Sequence, residues 1–255
     1  MNPNLCIKND ASYHDMYYMN PPSKDLSKIA SSDKVTKVQK DFEATHVRPQ
    51  RLMKTLFTDE AYVKANVDEA RLMRRLFDLA CNMQSHDTDM QLYSLFTDEE
   101  CYDLWSCNNL YWYLTHACSP VTDGLMPYRE ADLLRNILDR ADAALKEGKN
   151  QATLRFGHES CLLPLVALLE LNHYGESYPD VEKLSEQWRA YDIFPMASNV
   201  QFVFFHKKGS NDVLVKVLLN EKEAKLPVKT DVAPYYHWKD VESYYREKLD
   251  KYQHI

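Results

Sequence analysis

The sequence predicts an α/β protein, with a mostly helical lobe over residues 1–150 and, over 151–255, a mixed sheet with helices packed against it. Three observations carry this expectation. Residues 33 to 147 show apolar spacing of almost only helical period. Ala152-Thr-Leu-Arg-Phe156 alternates apolar and polar residues over a strand's length and stops at Gly157. Two β-rich runs, Asn199 to His206 and Val213 to Leu219, are separated by Lys207-Lys-Gly-Ser-Asn211, which reads as a hairpin.

Met1 to Ser32 is rich in Tyr, Met, Asn, Pro and Ser and reads as extended chain; its His14-Asp15 pair is too common a dipeptide to define a site. Asp33 to Thr45 places Val35, Val38 and Phe42 at helical spacing, with Asp33 as the N-cap. A second helix is expected from Pro49 to Phe57, and a third over Asp59 to Ala65, capped by Thr58. Asp68 to Gln84 is strongly amphipathic: Leu72, Leu76, Leu79 and Met83 share a face with Met73, Phe77 and Ala80, while Arg71, Arg74 and Arg75 lie on a solvated flank. Ser85-His-Asp-Thr-Asp89 supplies metal-ligating residue types only at consecutive positions and reads as a polar loop.

Thr97-Asp-Glu-Glu100 is a capping box opening a helix to about His116, whose aromatic residues suit a packed interface. After the loop from Ser119 to Met126, Pro127 starts a helix with Leu133, Leu134, Ile137, Leu138, Ala141 and Leu145 buried, ended by Gly148. Cys161 to Leu171 is an apolar run too long for one strand and reads as a buried helix with Pro164 in its first turn. A short helix over Val181 to Arg189, an edge strand over Ala224 to Pro227, and a closing helix from His237 to Tyr252 complete the chain.

At 255 residues and 45% hydrophobic content the chain can bury a sizeable core. The net charge of −7 argues against a nucleic-acid partner, which needs a basic face. No apolar run reaches the length of a membrane span, and Met1 to Ile7 is too short and polar for a signal peptide. The six cysteines form no C-x-x-C pair, so a zinc ribbon is not expected; Cys101 and Cys107 point to different helix faces, and mostly free thiols are anticipated.

The segment with chemical promise is the junction between Phe156 and Cys161. A strand, a Gly turn, His158 and Glu159, then a helix N-terminus would present free backbone N–H groups and the positive end of a helix dipole, which suits a phosphate or carboxylate. An imidazole and a carboxyl there can handle a proton for a bound anion. Two readings stand open: a catalytic pair, or a Glu159 that favours the helix N-terminus beside a satisfied core His158.

Phe156-Gly157-His158-Glu159-Ser160-Cys-Leu-Leu-Pro164 resembles the second signature of the histidine acid phosphatases, a Gly-His-Asp type motif that becomes His-Ala-Glu in the multiple inositol polyphosphate phosphatases. Ile193-Phe-Pro-Met-Ala-Ser-Asn-Val-Gln201 and Pro234-Tyr-Tyr-His-Trp-Lys-Asp240 are similar to the ending of that group's bacterial branch, and His14-Asp-Met-Tyr-Tyr-Met19 and Cys101-Tyr-Asp-Leu-Trp105 extend the likeness over nearly the whole chain. The resemblance implies a mixed sheet sandwiched by helices with a helical cap. It also implies inositol polyphosphates such as phytate as the small-molecule partner, no cofactor and no metal, and export to the periplasm or outside the cell.

The family mechanism needs a histidine in an Arg-His-Gly-x-Arg-x-Pro motif to form a phosphohistidine, and an acid in the second motif to protonate the leaving oxygen. No Arg-His dipeptide occurs in this sequence, and His46-Val-Arg-Pro49, the nearest imitation, lacks the Gly and lies between helical patterns. The chain thus resembles the C-terminal part of a longer enzyme. By the same likeness His158 and Glu159 are its catalytic residues, His158 on the phosphate and Glu159 as acid, although Ser160 stands where the His-Ala-Glu branch carries its Glu.

Overall fold

A computed structural model describes residues 24–252. The N-terminal half is helical, as its spacing requires, and begins with a helix that the composition of Met1 to Ser32 did not announce, α1 (Lys24–Ala30). Helix α2 (Asp33–His46) buries Val35 and Phe42 and is capped by the hydroxyl of Ser32, one residue before the expected Asp33. Helix α3 (Gln50–Leu56) follows Pro49, so His46-Val-Arg-Pro49 is a helix junction. Helix α4 (Glu60–Asn66) takes its cap from Asp59, whose carboxylate accepts the Tyr62 N–H, rather than from Thr58.

Helix α5 (Glu69–Asn82) buries a narrower seam than expected, centred on Met73 and Ala80, seven residues apart. Leu79 lies about 100° off that line and is exposed. The arginine flank behaves as solvated charge: Arg74 pairs with Glu43, and Arg75 lies 3.3 Å from Asp78. With Leu52, Met53, Val63, Phe96 and Leu104, this seam forms a small separate core.

Helix α6 (Asp98–His116) opens on the expected capping box, Thr97 accepting the Glu100 N–H while the Glu100 carboxylate accepts the Thr97 N–H. Its aromatic residues pack: Tyr102, Trp105 and Tyr191 form a chain with centroids about 5.5 Å apart. A 3-10 turn over Met126–Glu130 leads into α7 (Ala131–Glu147), which Gly148 ends at φ 64°, a left-handed cap that suits glycine. Helix α8 (Glu159–Leu168) starts two residues earlier than expected, so Pro164 is an interior residue, and its missing N–H leaves the Ser160 carbonyl without a helical donor. Two short helices, α9 (Leu184–Gln187) and α10 (Ala190–Ile193), lie within or just after the span read as one helix.

The hairpin forms as read. β1 (Val200–His206) and β2 (Val213–Leu219) are antiparallel, in register from Val200 opposite Leu219 to His206 opposite Val213. β3 (Lys222–Glu223) and β4 (Tyr236–His237) both pair with β2. The edge strand expected over Ala224 to Pro227 is therefore earlier and shorter, with the Ala224 N–H still donating to the Val217 carbonyl at 2.9 Å. All sheet pairings among the described residues are antiparallel. Helix α11 (Trp238–Tyr252) buries Trp238, Val241, Tyr245 and Leu249.

One large core joins these parts, from Val35 and Phe42 through Leu110, Leu134, Leu138 and the length of α8 to Val215, Val217, Val241 and Leu249. The fold class stands: a helical lobe, and a sheet with helices packed on it. Ala152 to Phe156 differs from the expectation. It is neither helix nor strand, and its alternation meets no neighbouring strand among the described residues.

Candidate active site at the N-terminus of α8

His158 is the N-cap of α8, with extended backbone (φ −118°, ψ 163°) and no capping hydrogen bond from its side chain. Its carbonyl accepts from the N–H groups of Cys161 at 3.0 Å and Leu162 at 3.1 Å, which leaves those of Glu159 and Ser160 at the open end of the helix. Both His158 and Glu159 are exposed, side by side at the positive end of a ten-residue helix. The imidazole is therefore not a satisfied core histidine. An anion seated there would meet backbone donors, an imidazole and a carboxyl together.

The wall behind this end is the 3-10 turn over Met126–Glu130, packed closely on α8. It carries two residues that the sequence reading passed over, Arg129 and Glu130. The guanidinium of Arg129 lies 3.4 Å from the Nε2 of His116 and 3.4 Å from the Thr115 carbonyl. An arginine donor at Nε2 makes that nitrogen an acceptor, so the proton sits on Nδ1, which donates to the Thr115 hydroxyl at 2.7 Å. Thr115 in turn donates to the Tyr111 carbonyl at 2.6 Å. Burial and the neighbouring Arg129 push His116 down to about 4, consistent with a neutral ring.

Glu130 is 1% exposed, and its Oε2 has no hydrogen-bond partner. Burial raises its carboxyl to about 8 against the pull of Arg129, so it is a neutral acid at pH 7. Its field reaches Cys161 in the first turn of α8, whose thiol is pushed up mainly by burial. No sequence signal marks Glu130; its position between Pro127 and an apolar helical stripe looks like any first-turn acid.

The far end of α8 is closed by side chains from α11. Lys248 donates to the Leu168 carbonyl at 2.7 Å and lies 2.9 Å from Glu170, while the Tyr245 hydroxyl donates to the Leu169 carbonyl at 2.7 Å. These groups satisfy the last carbonyls of the helix and place a cation at its negative end. α8 is thus fixed at one end and open at the other, where His158 and Glu159 stand.

Other candidates do not converge on this end. His86 and Asp87 lie in an exposed loop, and no group of three or more metal-ligating side chains occurs among the described residues. His46 stacks on Phe42 at 3.9 Å, a packing role. His14 and Asp15 lie outside the described residues. Cys81, Cys101, Cys107 and Cys118 are free thiols. Among the described residues no helix is long and apolar enough to cross a membrane.

Comparison with known proteins gives a consistent answer. Residues 7–220 match the model of the histidine phosphatase superfamily, branch 2. The human protein named multiple inositol polyphosphate phosphatase 1 is 28% identical over 134 residues, which cover 48% of this chain and 27% of that protein. Among solved structures, the Bifidobacterium longum multiple inositol polyphosphate phosphatase in complex with phosphate aligns with a TM-score of 0.61 at 19% identity, covering 94% of this chain and 56% of that one. Its complex with inositol hexasulfate aligns at 0.56 and 18% identity, covering 93% and 58%. The chain thus spans little more than half the length of its structural neighbours and about a quarter of its curated relative. By the match that spans most of its length, the chain belongs to the histidine phosphatase superfamily, branch 2.

Proposed function

We propose that this chain supplies the proton-donor half of a phosphomonoesterase site acting on inositol polyphosphates, phytate among them, through a phosphohistidine formed on a histidine outside this sequence. The observation that supports it is the placement of His158 and Glu159 at the open N-terminus of α8, inside the family-matched residues. His158 contacts the transferred phosphoryl group, where hydrogen bonds to a charged acceptor are strongest. Glu159 donates a proton to the leaving alkoxide oxygen. Glu159 is the only carboxyl within three residues of the junction, since Ser160 occupies the next position. Residues 1–150 serve as the cap and 151–255 as part of the phosphatase core, and the complete protein works in the periplasm or outside the cell.

A second reading, a phosphate-binding or structural module without turnover, is favoured by one fact, the absence of any Arg-His dipeptide. Incubating the purified chain with phytate and with an aryl phosphate tests where the nucleophile lies. Negligible phosphate release is expected from the chain alone. Release at ordinary enzymatic rates, abolished by a substitution within these residues, would place the nucleophile here and overturn the proposed division of labour.

A further inference from the structure

We infer that Cys81 and Cys101 are a dithiol pair that closes into an intrachain disulfide under oxidising conditions, pinning the end of α5 to the first turn of α6. Cys81 is one turn beyond Phe77 on α5, and the Phe77 ring meets Tyr93 edge-on at 6.3 Å and Phe96 at 5.8 Å. Phe96 immediately precedes the Thr97 cap of α6 and Cys101 is the fourth residue of that helix, so the two hold the positions that a hydrophobic staple brings together. Cys101 accordingly packs on the small core that also holds Phe77 and Phe96. Tyr93 bridges the two sides. Its hydroxyl hydrogen-bonds to Cys81 and is pushed up to about 12, first by that bond, then by burial and by the charges that Cys81 and Cys101 would carry. The Cys101 thiol is raised by burial first, with Asp98 and then Cys81 adding. The two sulfurs share one neighbour, the Tyr93 hydroxyl.

The backbone allows the bond. Cα atoms of α5 come within 8 Å of α6 and of the turn at Tyr93–Leu95, and a disulfide spans about 4–7 Å between its own Cα atoms. The other described cysteines lie elsewhere: Cys107 packs against the large core, Cys118 is near Lys248 and Glu170 at the far end of α8, and Cys161 is in the first turn of that helix. A link between α5 and α6 also has something to hold. Their core is small and separate, and residues 84–91 of the connection across it are all exposed. Such a core gains most from a covalent staple, which confines the connection in the unfolded chain. The oxidant is a small-molecule disulfide such as glutathione disulfide. One protein thiolate attacks it and releases one glutathione thiolate, and the other protein thiolate then attacks the protein sulfur of the mixed disulfide and releases the second. Two protein thiols thereby give up two electrons and two protons, and two glutathione thiols receive them. Neither step involves His158 or Glu159, so the inference stands apart from the catalytic proposal.

Peptide mapping under non-reducing conditions tests it, on the purified folded chain incubated with glutathione disulfide and then blocked with iodoacetamide. The expected product is a monomer in which one peptide pair is joined through Cys81 and Cys101, with the loss of two hydrogens and no glutathione retained at either sulfur. Its thermal midpoint should exceed that of the reduced chain by about 5–10 °C, and dithiothreitol should return it to the reduced value. Cys81→Ala and Cys101→Ala, made singly, should each abolish both the linked peptide and the response of the midpoint to oxidant. The mapping needs no variant to fold. Both cysteines recovered carrying the iodoacetamide label, glutathione retained on either as the end product, a bond from either to Cys6 or to any other cysteine, a linked dimer, or a bond that leaves the midpoint unmoved each overturns the inference.

Discussion

At the scale of single residues, the most consequential side chain was invisible in the sequence. Glu130 looks like an ordinary first-turn acid, yet it is buried beside α8 with an unpartnered oxygen, and burial holds it near 8 against an ordinary value of 4.5. A carboxyl raised in the folded state keeps its proton where the unfolded chain loses it. Its contribution to stability is therefore fully present below pH 4.5 and is lost as pH rises to about 8, by about 1.4 kcal/mol per pH unit over that window. Glu130→Gln, which cannot ionise, is expected to flatten this slope and to be more stable than the parent at pH 8 while matching it near pH 4.5. Urea denaturation at the two pH values checks it, and a variant with the parent's slope would show that another group carries the dependence. His158 and Glu159, by contrast, were legible, because a glycine, two polar residues and an apolar run mark a helix start locally.

His237 shows the opposite sign at the same scale. Its Nδ1 lies 3.0 Å from both oxygens of Asp212, and its Nε2 lies 3.0 Å from Asp231. Only the doubly protonated ring can donate on both sides, and hydrogen bonds to Asp212 and then Asp231 raise it above its ordinary value of 6.5. The contribution of this contact is complete below 6.5 and falls as pH rises through the folded value. Loss of the clasp should lower the exchange protection of the loop around Asp231 at alkaline pH, and His237→Gln should make that protection, taken relative to the intrinsic base-catalysed rate, independent of pH. Equal pH dependence in the variant would remove the clasp from the account.

Among elements, local chemistry predicted existence well and partners poorly. The capping box at Thr97 was readable because it is complete within four residues, and Thr97→Ala is expected to cost about 1 kcal/mol, measurable as a lowered denaturation midpoint. Helix caps at Ser32 and Asp59 fell one residue from the expected ones because adjacent Ser, Thr and Asp residues compete for the same backbone donors. The hairpin was read correctly, since both its strands and its turn lie within the 20 residues from Val200 to Leu219. Ala152 to Phe156 was read from a true alternation, but a strand needs a neighbour, and alternation carries no information about whether one is present. Pro164 misled the helix boundary because a proline favours a first turn and here sits inside one.

For the whole molecule, the large core decides behaviour. It runs from α2 through α6, α7 and α8 to β2 and α11, so the helical lobe and the sheet share buried side chains. Leu163, fully buried in α8, touches the centre of this arrangement. Leu163→Ala is expected to cost about 2–5 kcal/mol and to lower the transition by helical circular dichroism and by tryptophan fluorescence together. Separate shifts in the two probes would mean that the parts unfold independently.

The central claim is that Glu159 is the acid for a departing oxygen and His158 a phosphate contact. The direct measurement compares Glu159→Gln with its parent in a polypeptide carrying the whole fold, on an inositol phosphate and on an aryl phosphate with a good leaving group. Loss of a general acid should slow the inositol phosphate by about 10²–10⁴ and leave the aryl phosphate nearly unchanged, because its leaving group departs without protonation; His158→Ala should slow both alike. Equal slowing of the two esters by Glu159→Gln would contradict the account, assign the proton to another residue and return Glu159 to the role of a helix-terminus charge.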